Sequence, residues 1–224
     1  MDEGKLIVIC GTDGSGKGTQ LKLLNERLIK EGYDVKTTDF PRYENKSAGL
    51  VEMYLNGEFG SSDDVGPYRA SVFYAVDRYA ASFEMKNWLS QGKIILSNRY
   101  VSASKGHQTG KIKNKEKRDK FLNWLDVLEY KLFKIPKENM NILLYVPPEI
   151  GQKLVDKKAA RSYTDKKRDI HEADLNHLKN AAEAYMYVAK KEGWVIIDCT
   201  KDGELMSIGD IHEKVYDEIK NIIG

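Results

Sequence analysis

Nine consecutive residues, Gly11-Thr12-Asp13-Gly14-Ser15-Gly16-Lys17-Gly18-Thr19, have the types and spacing to hold an anion. Glycines let the backbone turn without Cβ clashes, so that successive amide N–H groups converge on one point. A helix starting at the end of the turn adds the positive end of its dipole. Lys17 contributes a mobile full charge suited to the outer phosphates of a nucleoside triphosphate. The spacing G-x-x-x-x-G-K is met, but Gly18 stands where a Ser or Thr hydroxyl usually reaches magnesium. The hydroxyl arrives one place later, at Thr19. Gly11, Gly14, Ser15, Gly16, Lys17, Gly18 and Thr19 are the residues expected around the donor phosphates.

Further groups with chemical potential lie where strands should end. Ile94-Ile95-Leu96 reads as a buried strand that delivers Asn98 and Arg99, and Asp34–Thr38 as one that delivers Asp39-Phe40-Pro41-Arg42-Tyr43. In an open parallel sheet ligands sit beyond the carboxyl ends of the strands, so these residues belong near the cradle. From Lys153 to Arg168 there are seven Lys or Arg against two Asp, placed late enough for a lid. A guanine-reading Asn-Lys-x-Asp is missing, and Asn98 replaces the Asp that many phosphate-cradle enzymes carry after this strand. These features favour a small kinase.

Composition narrows the partners. Net charge is +2 on 36 basic and 34 acidic residues, so no global field points to nucleic acid or a membrane surface. No apolar run near Met1 has the length of a signal peptide or membrane span, which leads to the expectation of a cytoplasmic protein. Cys10 and Cys199 fall in apparent strands and read as small buried hydrophobes rather than metal ligands.

The elements that must position these groups follow from periodicity. Leu6–Cys10, Asp34–Thr38, Ile94–Leu96, Ile142–Val146 and Trp194–Cys199 read as strands. Between them lie helical patterns: Leu21 to Ile29, Ser47 to Leu55, a long aromatic-rich stretch from Pro67 to Gln91, Lys115 to Lys134, one from Asp174 to Lys191, and Ser207 to Ile223. Val101–Gly110 reads as a loop. Alternation of this kind gives an α/β, phosphate-loop (P-loop) nucleotide-binding fold. We expect an open parallel five-stranded sheet flanked by helices, in one domain over 1–224, with a short lid at about 153–170.

Together, Gly11 to Gln20, Phe40-Pro41-Arg42-Tyr43, Asp77-Arg78-Tyr79, Asn98-Arg99-Tyr100 and Asp169-Ile170-His171-Glu172-Ala173-Asp174 resemble the thymidylate kinase family, in its order and over nearly the whole chain. The resemblance implies transfer of the γ-phosphoryl group of ATP to deoxythymidine monophosphate with Mg2+, in a homodimer packed through the long helices. It implies that Asp13 bonds the sugar 3′-hydroxyl, that Tyr74 stacks on the base and that Arg78 bonds its edge. Arg99 would hold the acceptor phosphate and the migrating group. Ser104 would crowd the sugar 2′ position, His107 and Gln108 would close over base and sugar, Arg42 would bind phosphate, and Phe40 and Leu55 would complete the pocket. One branch of the family carries an arginine in the cradle, where this chain has Gly14 or Ser15. Arg161 in the lid is therefore the expected catalytic arginine, with Arg168 and Lys158 behind it. Thr19 and Asn98 are the metal candidates, acting through water. Two other readings stay open at this level: a kinase for another deoxynucleotide or a nucleoside, and a non-catalytic nucleotide-binding regulator.

Overall fold

A computed structural model describes residues 3–156 and 175–223. The central sheet has five parallel strands: β1 (Lys5–Cys10), β2 (Val35–Asp39), β3 (Ile94–Asn98), β4 (Met140–Tyr145) and β5 (Val195–Asp198), in the order β2-β3-β1-β4-β5. Alternate residues of β1 face opposite sides, as strand geometry requires. Leu6, Val8 and Cys10 join one buried cluster, while Ile7 and Ile9 join the other. The first is covered by α3 (Ser62–Ser90), α4 (Val101–Thr109), α5 (Lys115–Asp126) and α7 (Leu175–Glu192). The second is covered by α1 (Lys17–Lys30) through Leu24 and Leu28, and by α8 (Ile208–Ile223) through Ile211, Val215 and Ile219. Each such side chain, fully buried, contributes about 1.5 to 3 kcal/mol.

The short helix α2 (Gly49–Leu55) forms a third cluster with α3, in which Val51, Tyr54 and Leu55 meet Val65 and Ala70, with Phe73 and Tyr74 at its margin. A capping box at Ser61 and Asp64 starts α3, and a break at Gly66 (φ 73°) precedes Pro67, so the long straight segment begins where its proline predicted. The helix α5 continues into a π-helical turn over Val127–Leu132. α6 (Pro148–Asp156) follows β4, and β6 (Thr200–Lys201) pairs with β7 (Glu204–Leu205) as a small hairpin before α8.

One expectation needs correction: Val101–Gly110 is not a loop but largely the helix α4. Val101, Ser102, Ser104, Gly106 and Thr109 are weak helix formers, so local propensity points the other way. Packing against α7 overrides it, with Gly106 close against the Tyr185 ring. Most of the expected lid, with Lys158, Arg161 and Arg168, lies outside the described residues.

Candidate active site

Three strands end level. Ile9 stands beside Asn98, and Asp39 stands beside Asn98 on its other side, so the cradle, Arg99 and the Asp39–Tyr43 turn emerge along one edge. Gly14 (φ 82°) and Gly16 (φ 83°) take left-handed turns. A Cβ on Gly14 would lie 2.1 Å from the carbonyl oxygen of Gly151 in α6, so only glycine fits there. A Cβ on Gly16 would meet nothing within 4 Å, which leaves that face open for a ligand. Gly16 caps α1 with no side-chain acceptor, leaving the first helical N–H groups available to an anion. Gly18 and Thr19 are exposed beside it. The buried Lys17 donates from Nζ to the Thr12 carbonyl at 2.7 Å and lies 3.4 Å from Ser15 Oγ.

A cleft of ≈ 710 Å³ runs from this cradle past Asp39, Arg42, Asn98 and Arg99 to Glu84 and Trp88. A second, narrower pocket of ≈ 90 Å³ is lined by Phe40, Leu55, Tyr74, Arg78, Ser104, His107 and Gln108 among others. Asp13, Pro41, Tyr43 and Arg99 line both, so the two meet at the ion pair between Arg99 Nη2 and Asp13 Oδ1. Arg99 adopts φ 64°, a left-handed conformation costly for a non-glycine residue and concentrated at functional sites. Burial disfavours its charge, but the carboxylates of Asp13 and Asp39 outweigh burial and raise its pKa above the ordinary arginine value. Burial pushes the Asp39 carboxyl upward, opposed by a 2.8 Å hydrogen bond from Asn98 Nδ2 and by the charges of Arg99 and Lys17. The remaining Asn98 oxygen, Oδ1, is buried with no partner among the described residues.

In the narrow pocket Tyr74 presents its ring, held edge-on by Tyr54 at 6.4 Å, while its neighbour Phe73 turns instead to Tyr54 and Phe59. Arg78 is 1 % exposed and paired with Glu129. Ser104 Oγ accepts from Arg78 Nη2 at 3.0 Å, which puts it beside the arginine expected at the base edge. His107 packs edge-on to Tyr185, and Gln108 is buried with Oε1 unpartnered among the described residues. Arg42 stands apart from this group. Its Nε donates to Asp77 Oδ1 at 3.1 Å and its Nη2 to Ser47 at 3.0 Å, so it lines the wide cleft and not the narrow pocket.

A phosphate cradle joined through an Arg–Asp pair to an aromatic slot is the arrangement of an enzyme that moves a phosphoryl group between two bound molecules. Residues 9–208 match the family model described as thymidylate kinase. The chain belongs to the thymidylate kinase family. It is 27 % identical over 220 residues to the thymidylate kinase of Plasmodium falciparum, covering 98 % of this chain and 91 % of that protein. It is 26 % identical over 190 residues to the thymidylate kinase of Mycobacterium tuberculosis, covering 84 % and 87 %. The solved thymidylate kinase of Candida albicans superposes with a TM-score of 0.73 at 20 % identity, over 98 % of this chain and 92 % of that one. The P-loop fold is thus shared, and the chain is a nucleoside monophosphate kinase, a phosphotransferase.

Within this thymidylate kinase framework, sequence reasoning missed the partners that hold the site arginines. Asp77, 1 % exposed on α3, fixes Arg42 through its backbone N–H and guanidinium, and also receives the Ser47 hydroxyl. Glu129, fully buried on the π turn, fixes Arg78. A signal for Glu129 existed: it lies four residues after Leu125 on the apolar side of α5, where an acid has no reason to sit unless paired. For a metal, no cluster of three or more His, Cys, Asp or Glu is found among the described residues. Asn98 Oδ1, Asp39 and the Thr19 hydroxyl suit an ion held largely by phosphates and water. Among the described residues no helix is long and apolar enough to cross a membrane.

Proposed function

We propose that the enzyme transfers the γ-phosphoryl group of ATP to deoxythymidine monophosphate. The observation that carries this reading is the Asp13–Arg99 pair at the junction of the phosphate cleft and the aromatic slot. Phosphoryl transfer asks for in-line positioning and for positive charge around oxygens that share the developing negative charge. Gly11, Gly14, Ser15, Gly16, Gly18 and Thr19 cradle the donor phosphates, and Lys17 exchanges the Thr12 carbonyl for a phosphate oxygen. Arg99, carried beyond β3, donates to the acceptor phosphate and to the migrating group, while Asp13 accepts the sugar 3′-hydroxyl. Bound Mg2+ would neutralise charge on the β- and γ-oxygens, with Asn98, Asp39 and Thr19 ordering its waters. Arg161, in the segment after α6, completes the positive charge, and Arg42 adds to it from the wide cleft.

The acceptor pocket supports a 4-oxo pyrimidine. Tyr74 offers a flat face in a lining shared with Phe40 and Leu55, Arg78 offers a donor, and Gln108 Oε1, unpartnered among the described residues, calls for an N–H. Thymine presents an N3–H beside the O4 acceptor, which matches that pair. Leaving such a buried acceptor unsatisfied costs about 1 to 3 kcal/mol. A homodimer through α3 goes with this reading, because Tyr79 and Phe83 leave 41 % and 61 % of their surface exposed beside Phe133 and the exposed Leu132. So does a cytoplasmic enzyme acting on free nucleotides.

A coupled ADP-release assay with MgATP and a panel of acceptors tests the reading. Deoxythymidine monophosphate should turn over well above CMP, AMP and GMP. Deoxyuridine monophosphate should be slower by the about 10- to 200-fold that one methyl group is worth. Equal or better turnover of AMP, GMP or CMP refutes the acceptor, and ATP binding without acceptor-stimulated ADP release refutes the enzyme.

A further inference from the structure

We infer that Glu129 is a positioning residue that sets base specificity, by clamping Arg78 so that a single N–H is left for the 4-position of the acceptor base. The inference rests on the proposed function and goes one residue beyond it. A guanidinium carries five N–H donors. In Arg78, Nε donates to Glu129 Oε1 at 3.0 Å, Nη2 to the same oxygen and to Ser104 Oγ at 3.0 Å, and Nη1 to the Tyr100 carbonyl at 3.3 Å. Among the described residues one N–H, on Nη1, has no acceptor. Arg99 contrasts with it, because its side chain gives one hydrogen bond among the described residues, to Asp13, and keeps its other donors for phosphate. The pocket therefore has at one end a neutralised arginine with a single N–H to spare, and at the other an arginine with most of its donors to spare. A base edge with an acceptor is received at the first, and a dianionic phosphate is drawn to the second.

Two features argue that Glu129 is there for this purpose and not for the fold alone. Its second oxygen, Oε2, is buried with no partner among the described residues, so the carboxylate is only half satisfied. A buried ion pair in that state is weak support for stability, and apolar replacements of such pairs are often neutral or stabilising. It also sits on a π-helical turn, a departure from α-geometry that recurs at functional sites. The consequence is chemical: an acceptor at the 4-position, as in a 4-oxo pyrimidine, meets the remaining N–H. A 4-amino group, as in cytosine, presents donor against donor.

The test compares the parent with Glu129→Gln and Glu129→Asp, on deoxythymidine and deoxycytidine monophosphates. Glu129→Gln keeps the volume and one acceptor oxygen but removes the negative charge that holds the guanidinium. Its KM for deoxythymidine monophosphate should rise at least tenfold, with kcat within threefold and the KM for ATP within twofold. The deoxycytidine substrate, which never gains the bond, should keep its KM, so the preference between the two falls by the same tenfold or more. Glu129→Asp retains the charge one methylene back and should lie between the two. Glu129→Gln with parental KM and preference overturns the inference, as does a loss confined to kcat. Should Glu129→Gln not fold, a folded Glu129→Asp with parental values overturns it, and failure of both to fold assigns Glu129 to the scaffold and also overturns it. A parent inactive on deoxythymidine monophosphate refutes the proposed function instead.

Discussion

Substituting Gly106 by alanine tests whether α4 is the rigid platform of the acceptor pocket. A Cβ there would lie 2.4 to 2.5 Å from three ring carbons of Tyr185. Ordinary contact between carbons is about 3.5 to 4.0 Å, so ring and helix must separate by roughly 1 to 1.5 Å. Tyr185 is 1 % exposed within the main buried cluster, which leaves the ring little room to swing away. The helix must move, and it carries Ser104, His107 and Gln108. Overpacking of this kind costs about 1 to 3 kcal/mol, offset by up to about 1 kcal/mol from the better helix propensity of alanine. The mid-range net loss, about 1.5 kcal/mol, should lower Tm by roughly 3 to 6 °C in a chain of this size. Steady-state kinetics should show KM for deoxythymidine monophosphate raised tenfold or more and KM for ATP within twofold, because no residue of α4 lines the donor cleft. A Gly106→Ala enzyme with parental Tm and acceptor KM would mean that α4 slides without cost, and the platform argument would fall.

Arg99→Ala should lower turnover by about 10²- to 10³-fold, the usual loss when one preorganised charge-stabilising donor is removed. Its affinity for ATP, measured by calorimetry, should change less than threefold, and an equal fall in both would contradict the role given to Arg99. Arg161→Ala should behave in the same way, and turnover indistinguishable from the parent would exclude it as the lid arginine. Burial pushes the Lys111 amine, hydrogen-bonded to the Tyr54 hydroxyl, down to about 8 from an ordinary 10.5. Because the folded state gives up this proton more readily than the unfolded chain, the destabilisation is complete below about pH 8 and is relieved as pH rises toward 10.5. Urea unfolding of the parent relative to Lys111→Met should therefore gain about 1 to 3 kcal/mol between pH 7 and 10; a difference that does not vary with pH contradicts this.

Features encoded over a few adjacent residues were legible without coordinates. The apolar runs of β1, β3 and β4, the glycine spacing of the cradle and the Pro67 start of the straight part of α3 each depend on local chemistry. The acceptor pocket was legible only by resemblance, since Leu55, Tyr74 and Gln108 come from three helices and Phe40 from the turn after β2, and nothing local links them. Features settled by distant partners were missed. The helix α4 exists because Gly106 meets Tyr185, a contact between elements far apart in the chain. Arg42 reads as a phosphate ligand in the sequence, but that Asp77, 35 positions away, would hold its guanidinium in the wall of the wide cleft was not legible there. Glu129 stands out in the sequence only as an acid on an apolar face, and its partner emerges when folding closes the 51-residue separation from Arg78.

The level ends of β1, β2 and β3 make the sheet a ruler. Neighbouring strands lie about 4.8 Å apart, and each residue advances about 3.3 Å, so the cradle, Asp39 and Arg99 are spaced by the hydrogen-bond ladder and not by their own side chains. Deleting one residue within β3 would draw Arg99 back by a full step and turn it to the opposite side. The composition of these strands can drift widely so long as their residue count is kept, which fits a fold shared with the Candida albicans thymidylate kinase at only 20 % identity.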